Sequence, residues 1–473
     1  MLDLAILAQQ DTHVYGFEGT SAEKLFIYGF AGMLAASTLF LRVNLRLILF
    51  GIMLFATALT APVDFQKLEY IQTWMLPAQR KRAEIHLGAA VVLSLLLIMR
   101  GKVSLHGVSA PGIILFLMAM YGGLLQFIHE DASTATQTIV FALVTIPCML
   151  IAAPDETRDF DSSVRMMRML MYVSAVWAFC CSVQYVIQPK YLVNNNGRFW
   201  GMLGNAQQAA ILTAPWCVIA MWLILNDPQR RQRVVWVGLL IVNLLFLIWS
   251  GSRTGVLMLV LGSMFVVYAR IGKAVLFMPV AAVVFFALFA LADALKIGAN
   301  LERLTSTEDT RGWVWAAMLQ SGLESPLIGV GFTEAGGSEN SYLLSFACYG
   351  IGYLLLVLAL VAAAAWQCLY VFVNRRKLPS EYRALSDMFL AFNAMYFGGA
   401  MFEGYLLARS STTLTMMLMF LGIWTCLKRQ IADSSAEDWD PEGDPSFDPA
   451  PEYSEEYAEV PAGPVPAAGF RSS

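Results

Sequence analysis

The heptapeptide Trp249-Ser250-Gly251-Ser252-Arg253-Thr254-Gly255 sets one arginine between two long apolar runs. Ser252, Thr254 and the glycines form a tight turn that opens a helix. Free backbone N–H groups, hydroxyls and a guanidinium at a helix N-terminus suit a phosphate group. Arginine adds a permanent charge and a planar fork for phosphate oxygens. Taken alone, a hairpin with a snorkelling charge explains the same residues equally well. Arg198, in "NNGRFWG", lies on irregular backbone beside interfacial aromatics. It reads as a second anion ligand or as an interfacial anchor.

Arg303 and Arg311 flank the entry to "TSTEDTRGWVWAAMLQSGLESP". That stretch reads as a short helix on the bilayer surface, capped by Thr or Asp near 307–310 and ended at Ser325-Pro326. The glycine-rich "PLIGVGFTEAGGSENSYLL" follows, with Glu339 and Asn340 at the start of a new apolar run. The helix dipole favours an ionised carboxylate there, able to accept a proton or pair with an arginine; simple helix capping is the alternative.

The elements that must position these residues are membrane helices. The chain has 473 residues, 58% hydrophobic and only 14% charged, against about 25% charged in a soluble domain. Apolar segments long enough to span a bilayer recur throughout. They fall near 25–41, 46–62, 84–99, 111–128, 136–153, 168–187, 207–225, 234–249, 254–269, 274–292, 341–373, 385–402 and 410–427, the 341–373 run being one long or kinked helix. The expected fold is an all-α polytopic membrane protein with about 12–13 transmembrane helices. Residues 1–24 form an N-terminal segment, 25–292 and 341–430 the transmembrane bundle, and 293–340 the one larger loop. The Pro-rich segment 431–473 reads as a disordered cytoplasmic tail.

The formal net charge of −4 conceals an asymmetry. From Asp433 onward the chain carries 11 acids and one arginine, which leaves 24 acids against 30 bases in the rest. The basic loops "NDPQRRQR" (226–233), "YARIGK" (268–273), "NRRKLPSEYR" (374–383) and "LKRQ" (427–430) all fit the cytoplasmic side if single spans separate the intervening loops. Counting back puts "RVNLR" (42–46) inside and the N-terminus outside. "PAQRKRAE" (77–84) lands outside against the rule. Three unusual loops also fall outside: 188–208, 250–255 and 293–340. No ATP is available there, so a site on that face must use an activated substrate or an ion gradient. No cleavable signal peptide is read in the first residues. The seven cysteines all sit in apolar runs and read as helix packing. With four histidines and neither CxxC nor HExxH, no metal or other cofactor is expected. Nor is a nucleic-acid partner.

Four pieces in order resemble a known family. They are Gly197-Arg198 with the glycines and asparagine after it, Ser250-x-Ser252-Arg253-x-Gly255, Arg311 with its tryptophans running to Pro326-Leu327-x-Gly329-x-Gly331, and Glu339-Asn340-x-Tyr342-Leu343 followed by "YGIGYLLLV". Over about residues 190–425 the chain is similar to the bacterial O-antigen ligase and O-antigen polymerase superfamily, metal-independent glycosyltransferases of the GT-C class. The resemblance implies a multi-pass protein of the bacterial inner membrane with its active site facing the periplasm. Its substrate would be an oligosaccharide on a polyprenyl pyrophosphate in the surrounding lipid, with a flippase and a chain-length regulator as partners. It also implies roles. Arg198 and Arg253 would hold pyrophosphate, Arg311 would stabilise the transferring sugar or the second phosphate, and Glu339 would be the general base. Ser252, Arg303, Asn340 and Tyr342 would line the substrate. Ligases of the family have histidine where this chain has Glu339, and the outer loop is short, which favours polymerisation of lipid-linked repeat units into a surface polysaccharide. The alternatives are ligation of the glycan to lipid A core or protein, and transport of a lipid-linked glycan. For a transporter, Glu403 and Arg409 on one outer loop are the residues to weigh.

Overall fold

A computed structural model describes residues 44–60, 63–64, 69–70, 73–99, 108–130, 132–193, 197–268, 311–407 and 409–437. The expected spans at 25–41 and 274–292, residue Arg303, the loop "YARIGK" beyond Tyr268, and the tail beyond 437 lie outside them.

The described chain is mostly helical. In order, the helices are α1 (Leu45–Thr57), α2 (Leu76–Arg80), α3 (Arg82–Met99), α4 (Ala110–His129), α5 (Ala132–Glu156), α6 (Phe160–Ile187), α7 (Ala206–Asn226), α8 (Arg233–Ser250), α9 (Arg253–Tyr268), α10 (Gly312–Glu324), α11 (Ser341–Asn374), α12 (Ser380–Gly399) and α13 (Thr412–Glu437). Two-residue strands, β1 (Val63–Asp64) and β2 (Glu69–Tyr70), pair between α1 and α2. Among the described residues seven helices are long and apolar enough to cross a membrane; α1 and α9 are apolar but shorter, with 13 and 16 residues. A hydrocarbon core of ~30 Å takes about 20 helical residues, so α9 needs its flanking turns to cross.

Helix α7 is the centre of the bundle. Trp216, Trp222 and its small residues are buried almost all round, as a helix enclosed by others must be. Helices α8 and α9 pack on one side of it, and α12 closes against α9.

The long helix α11 is broken at Gly350, whose φ of 75° and ψ of −172° belong to a region open only to glycine. The break leaves carbonyls without helical partners, and the loop before the helix fills them. Val330 donates to Ala347 O at 2.8 Å and Gly331 to Cys348 O at 3.0 Å, while Ile351 N–H donates to Pro326 O at 2.8 Å. "PLIGVG" and "YGIG" are thus two halves of one backbone joint. A Cβ on Gly350 would sit 2.4 Å from the Leu327 carbonyl.

Three boundaries differ from the sequence reading. Helix α10 starts at Gly312 with Arg311 in the capping position and no side-chain cap, rather than a Thr or Asp cap near 307–310; the Arg311 side chain is engaged elsewhere. Helix α13 continues past 430 to Glu437, carried by a helix-compatible "IADSSAE" whose Ser434 bonds back to Gln430 O. Helix α1 is shorter than the expected span at 46–62.

Polar contacts sort the loops into two ends. At one, Asn44 and Arg46 bond Glu156, Phe160 N–H meets the Tyr382 hydroxyl, and Trp222 donates to Ala384 O. Arg168 grips Asp227 beside the Arg230–Arg233 turn, and four donors acting on that carboxylate hold its pKa below the ordinary value against burial, which raises it. The basic loops 226–233 and 374–383 are both here. The turns at 188–193, 197–205, 250–253, 325–340, 400–407 and 409–411 gather at the other end. So does the exceptional basic segment 77–84: Gln79 donates to Met202 O and Arg82 to Leu59 O. All seven cysteines are free thiols, six of them buried.

Candidate functional site

The site forms where four turns meet. Gly251, at φ 59°, ends α8 in the left-handed conformation that glycine tolerates. The chain re-enters a helix at once, with Ser252 Oγ accepting from Gly255 N–H at 3.3 Å. This places Thr254 in the first turn of α9. Its hydroxyl donates to Glu403 Oε1 at 3.1 Å and accepts from Arg311 Nη2 at 3.0 Å.

Arg311 is the hub. Its guanidinium lies 3.4 Å from Glu339 and 3.4 Å from Glu403, and 5.3 Å over the ring of Phe402. Glu339 keeps 29% of its side chain exposed, Glu403 only 6%; one carboxylate can reach a substrate and the other is enclosed. Burial pushes the Glu403 carboxyl up to about 7, against the pull of Arg311, the Thr254 hydroxyl and Arg198, with Glu339 adding a further upward push. Arg198 therefore belongs to the same electrostatic unit. It is buried, and its Nε donates to Ser250 O at 2.7 Å. Phe199 beside it stacks on Phe246 and Trp249, with centroids 4.5 and 5.2 Å away. Those stacks fix the arginine against the α8–α9 turn.

The 400–411 loop is held by α11. Ser341 N–H bonds Ala400 O at 2.8 Å, its Oγ donates to Glu403 O, and it accepts from Tyr405 N–H at 3.0 Å. Asn340 caps α11, accepting from Tyr342 and Leu343 N–H, and ties Met401 O with its Nδ2 at 3.0 Å. Tyr342 turns its hydroxyl to Phe397 O at 3.3 Å. Asn340 thus holds the loop itself, and Tyr342 the end of α12 that leads into it. Arg253 is the first residue of α9, half-buried and next to Thr254. Trp313 is exposed, while Trp315 donates to Glu339 O at 3.2 Å.

The structure thus joins Arg198, Ser252, Arg311 and Glu339, and adds Thr254 and Glu403. Glu403 stood out in the sequence only as an acid on an outer loop; nothing local marks it as the partner of an arginine 92 positions away. Arg311 and Arg198 beside two carboxylates, one of them partly exposed, can hold an anion and take a proton from a hydroxyl. Among the described residues no His/Cys/Asp/Glu cluster could hold a metal ion.

Fold and site together define a multi-pass membrane protein with a preorganised charged site at one end of its bundle. No family model and no curated protein matches the chain.

Proposed function

We propose that this protein is a glycosyltransferase that polymerises polyprenyl-pyrophosphate-linked oligosaccharide repeat units on the periplasmic face of the bacterial inner membrane. The observation that carries the reading is the convergence of Arg311 with Glu339, Glu403 and Thr254 beside Arg198, at the end of the bundle opposite the basic loops. By the charge rule the basic end faces the cytoplasm, which gives the site to the other side.

In this reading the acceptor hydroxyl gives its proton to Glu339, the reachable carboxylate, and attacks the anomeric carbon of the donor. The bond from that carbon to the pyrophosphate oxygen breaks, and the electron pair leaves with the lipid pyrophosphate. Arg198, which is buried, and Arg253, which is half-buried, take the growing negative charge as fixed cations. Arg311 aligns both carboxylates. Glu403, as an ionised group, holds Arg311 and Thr254 in place.

A lipid-linked glycan transporter would need charges along the spans. Among the described residues the ion pairs cluster toward the two ends of the helices instead. Polymerase and ligase differ in acceptor: loss of the protein removes long chains in the first case and leaves long lipid-linked chains unattached in the second.

The direct test is transfer by purified protein from a synthetic polyprenyl-pyrophosphate oligosaccharide. Arg253→Ala and Glu339→Gln should abolish product while insertion is normal, and Arg253→Lys should recover little because the forked contact is lost. Normal product lengths from both Arg253→Ala and Glu339→Gln would remove the assignment.

A further inference from the structure

A cavity of about 210 Å³ opens at the same end of the bundle, lined where α1, α3, α7 and α13 meet. It is smaller than the ~300–1,000 Å³ of sites for drug-sized ligands, which suits a single ring. Its lining includes Arg82, Gln208, Ser410 and Thr412 as polar groups, and Ile211 and Met416 as apolar ones. Tyr405 forms part of the wall, two residues from Glu403.

Thr412 is the informative residue. It is 9% exposed, it opens α13, and among the described residues nothing hydrogen-bonds its hydroxyl. That hydroxyl faces the cavity and is left to bond whatever fills it, water or a ligand. Its neighbours Ser411 and Thr413 are bonded to each other, so the open valence at Thr412 is not a general property of the turn. Arg82 is fixed by Leu59 O and the Thr60 hydroxyl. One anchored cation among an amide and several hydroxyls matches a polyhydroxylated ring better than a multiply charged phosphate, for which the arginine-rich site nearby is built. The apolar patch of Ile211 and Met416 suits the C–H face of a sugar.

We infer that this cavity is a saccharide subsite, separate from the Arg311 centre, that holds one neutral sugar ring of the growing or accepting glycan. Its place in catalysis rests on the glycosyl-transfer reading; its ability to bind sugar is measured independently.

The experiment uses full-length protein in nanodiscs and a panel of soluble uncharged trisaccharides of hexoses and N-acetylhexosamines. Binding is read by saturation-transfer difference NMR and titration. Loss of one neutral hydrogen bond corresponds to about a three- to tenfold weaker Kd, and Thr412→Val should show it. Gln208→Ala should show a similar loss. Thr425→Val, on the same helix but bonded to Leu421 O and outside the cavity, should bind as wild type does. No saccharide signal in the wild type, an unchanged Kd in Thr412→Val, or displacement of the sugar by inorganic phosphate would each overturn the subsite. Sugar binding that depends on Thr412, in a protein whose Glu339→Gln variant still transfers glycan, would keep the subsite and discard the catalytic assignment.

Discussion

At the scale of single residues, the telling contrast is between two glutamates on one arginine. Glu339 is reachable and Glu403 is enclosed, and burial holds the Glu403 carboxyl at about 7. It is protonated below that pH and ionised above it. Only the ionised form pairs fully with Arg311, so turnover should rise as pH increases through about 7, and Glu403→Gln should lose that rising limb. An identical pH profile in the variant would dissociate Glu403 from the site. Stability runs the other way. The folded state binds this proton more tightly than the unfolded chain, so the contribution is fully present below the unfolded value and lost as pH rises through about 7. From pH 6 to 8 the apparent Tm of the wild type should therefore fall relative to that of Glu403→Gln, which a thermal melt in detergent can read.

The decisive element is the broken helix α11. Its break at Gly350 and the "PLIGVG" loop complete each other's hydrogen bonds, and the loop leads directly to Glu339. On the other side, His129 meets Ile328 O at 3.0 Å, and Arg409 pairs with Glu130 and lies 4.7 Å from the Phe332 ring. The loop is thus clamped from α4, from α11 and from the 400–411 turn. A side chain at Gly350 meets a backbone conformation that costs about 1–3 kcal/mol for any other residue, together with the Leu327 carbonyl in its path. Gly350→Ala should lower the apparent Tm and open 325–331 to limited proteolysis. Gly238→Ala, in α8 with open space around its Cβ position, should be neutral or slightly stabilising. Equal protease resistance in Gly350→Ala and wild type would remove the joint as a determinant of the site.

For the whole molecule the central property is its two unlike ends. Basic loops and tight ion pairs such as Arg168–Asp227 mark one, the site and the cavity the other. The charge rule then predicts sidedness. In spheroplasts of a cysteine-free background, a membrane-impermeant maleimide should label Glu334→Cys and not Lys377→Cys until the membrane is broken. The reverse pattern would turn the protein over and put the site within reach of cytoplasmic nucleotides.

Hydropathy and charge are sums over neighbouring residues, so the sequence alone determined the membrane class, most span positions and the alternation of the basic loops. It also marked Arg253, a charge between apolar runs, and Arg198, Arg311 and Glu339, charges in glycine- and tryptophan-bearing loops. The count that put 77–84 at the same end as the site loops agrees with the contacts of Gln79 and Arg82. Only the tertiary structure decided which charges meet. Thr254 and Glu403 are 149 positions apart, and no local pattern encodes that pairing. It follows from α9 packing between α7 and α12, and from a helix break that lets one loop carry Glu339 back to Arg311. That packing also set the roles apart: Asn340 and Tyr342, one and three residues after Glu339, bond Met401 O and Phe397 O, in the loop that carries Glu403 and the helix end before it.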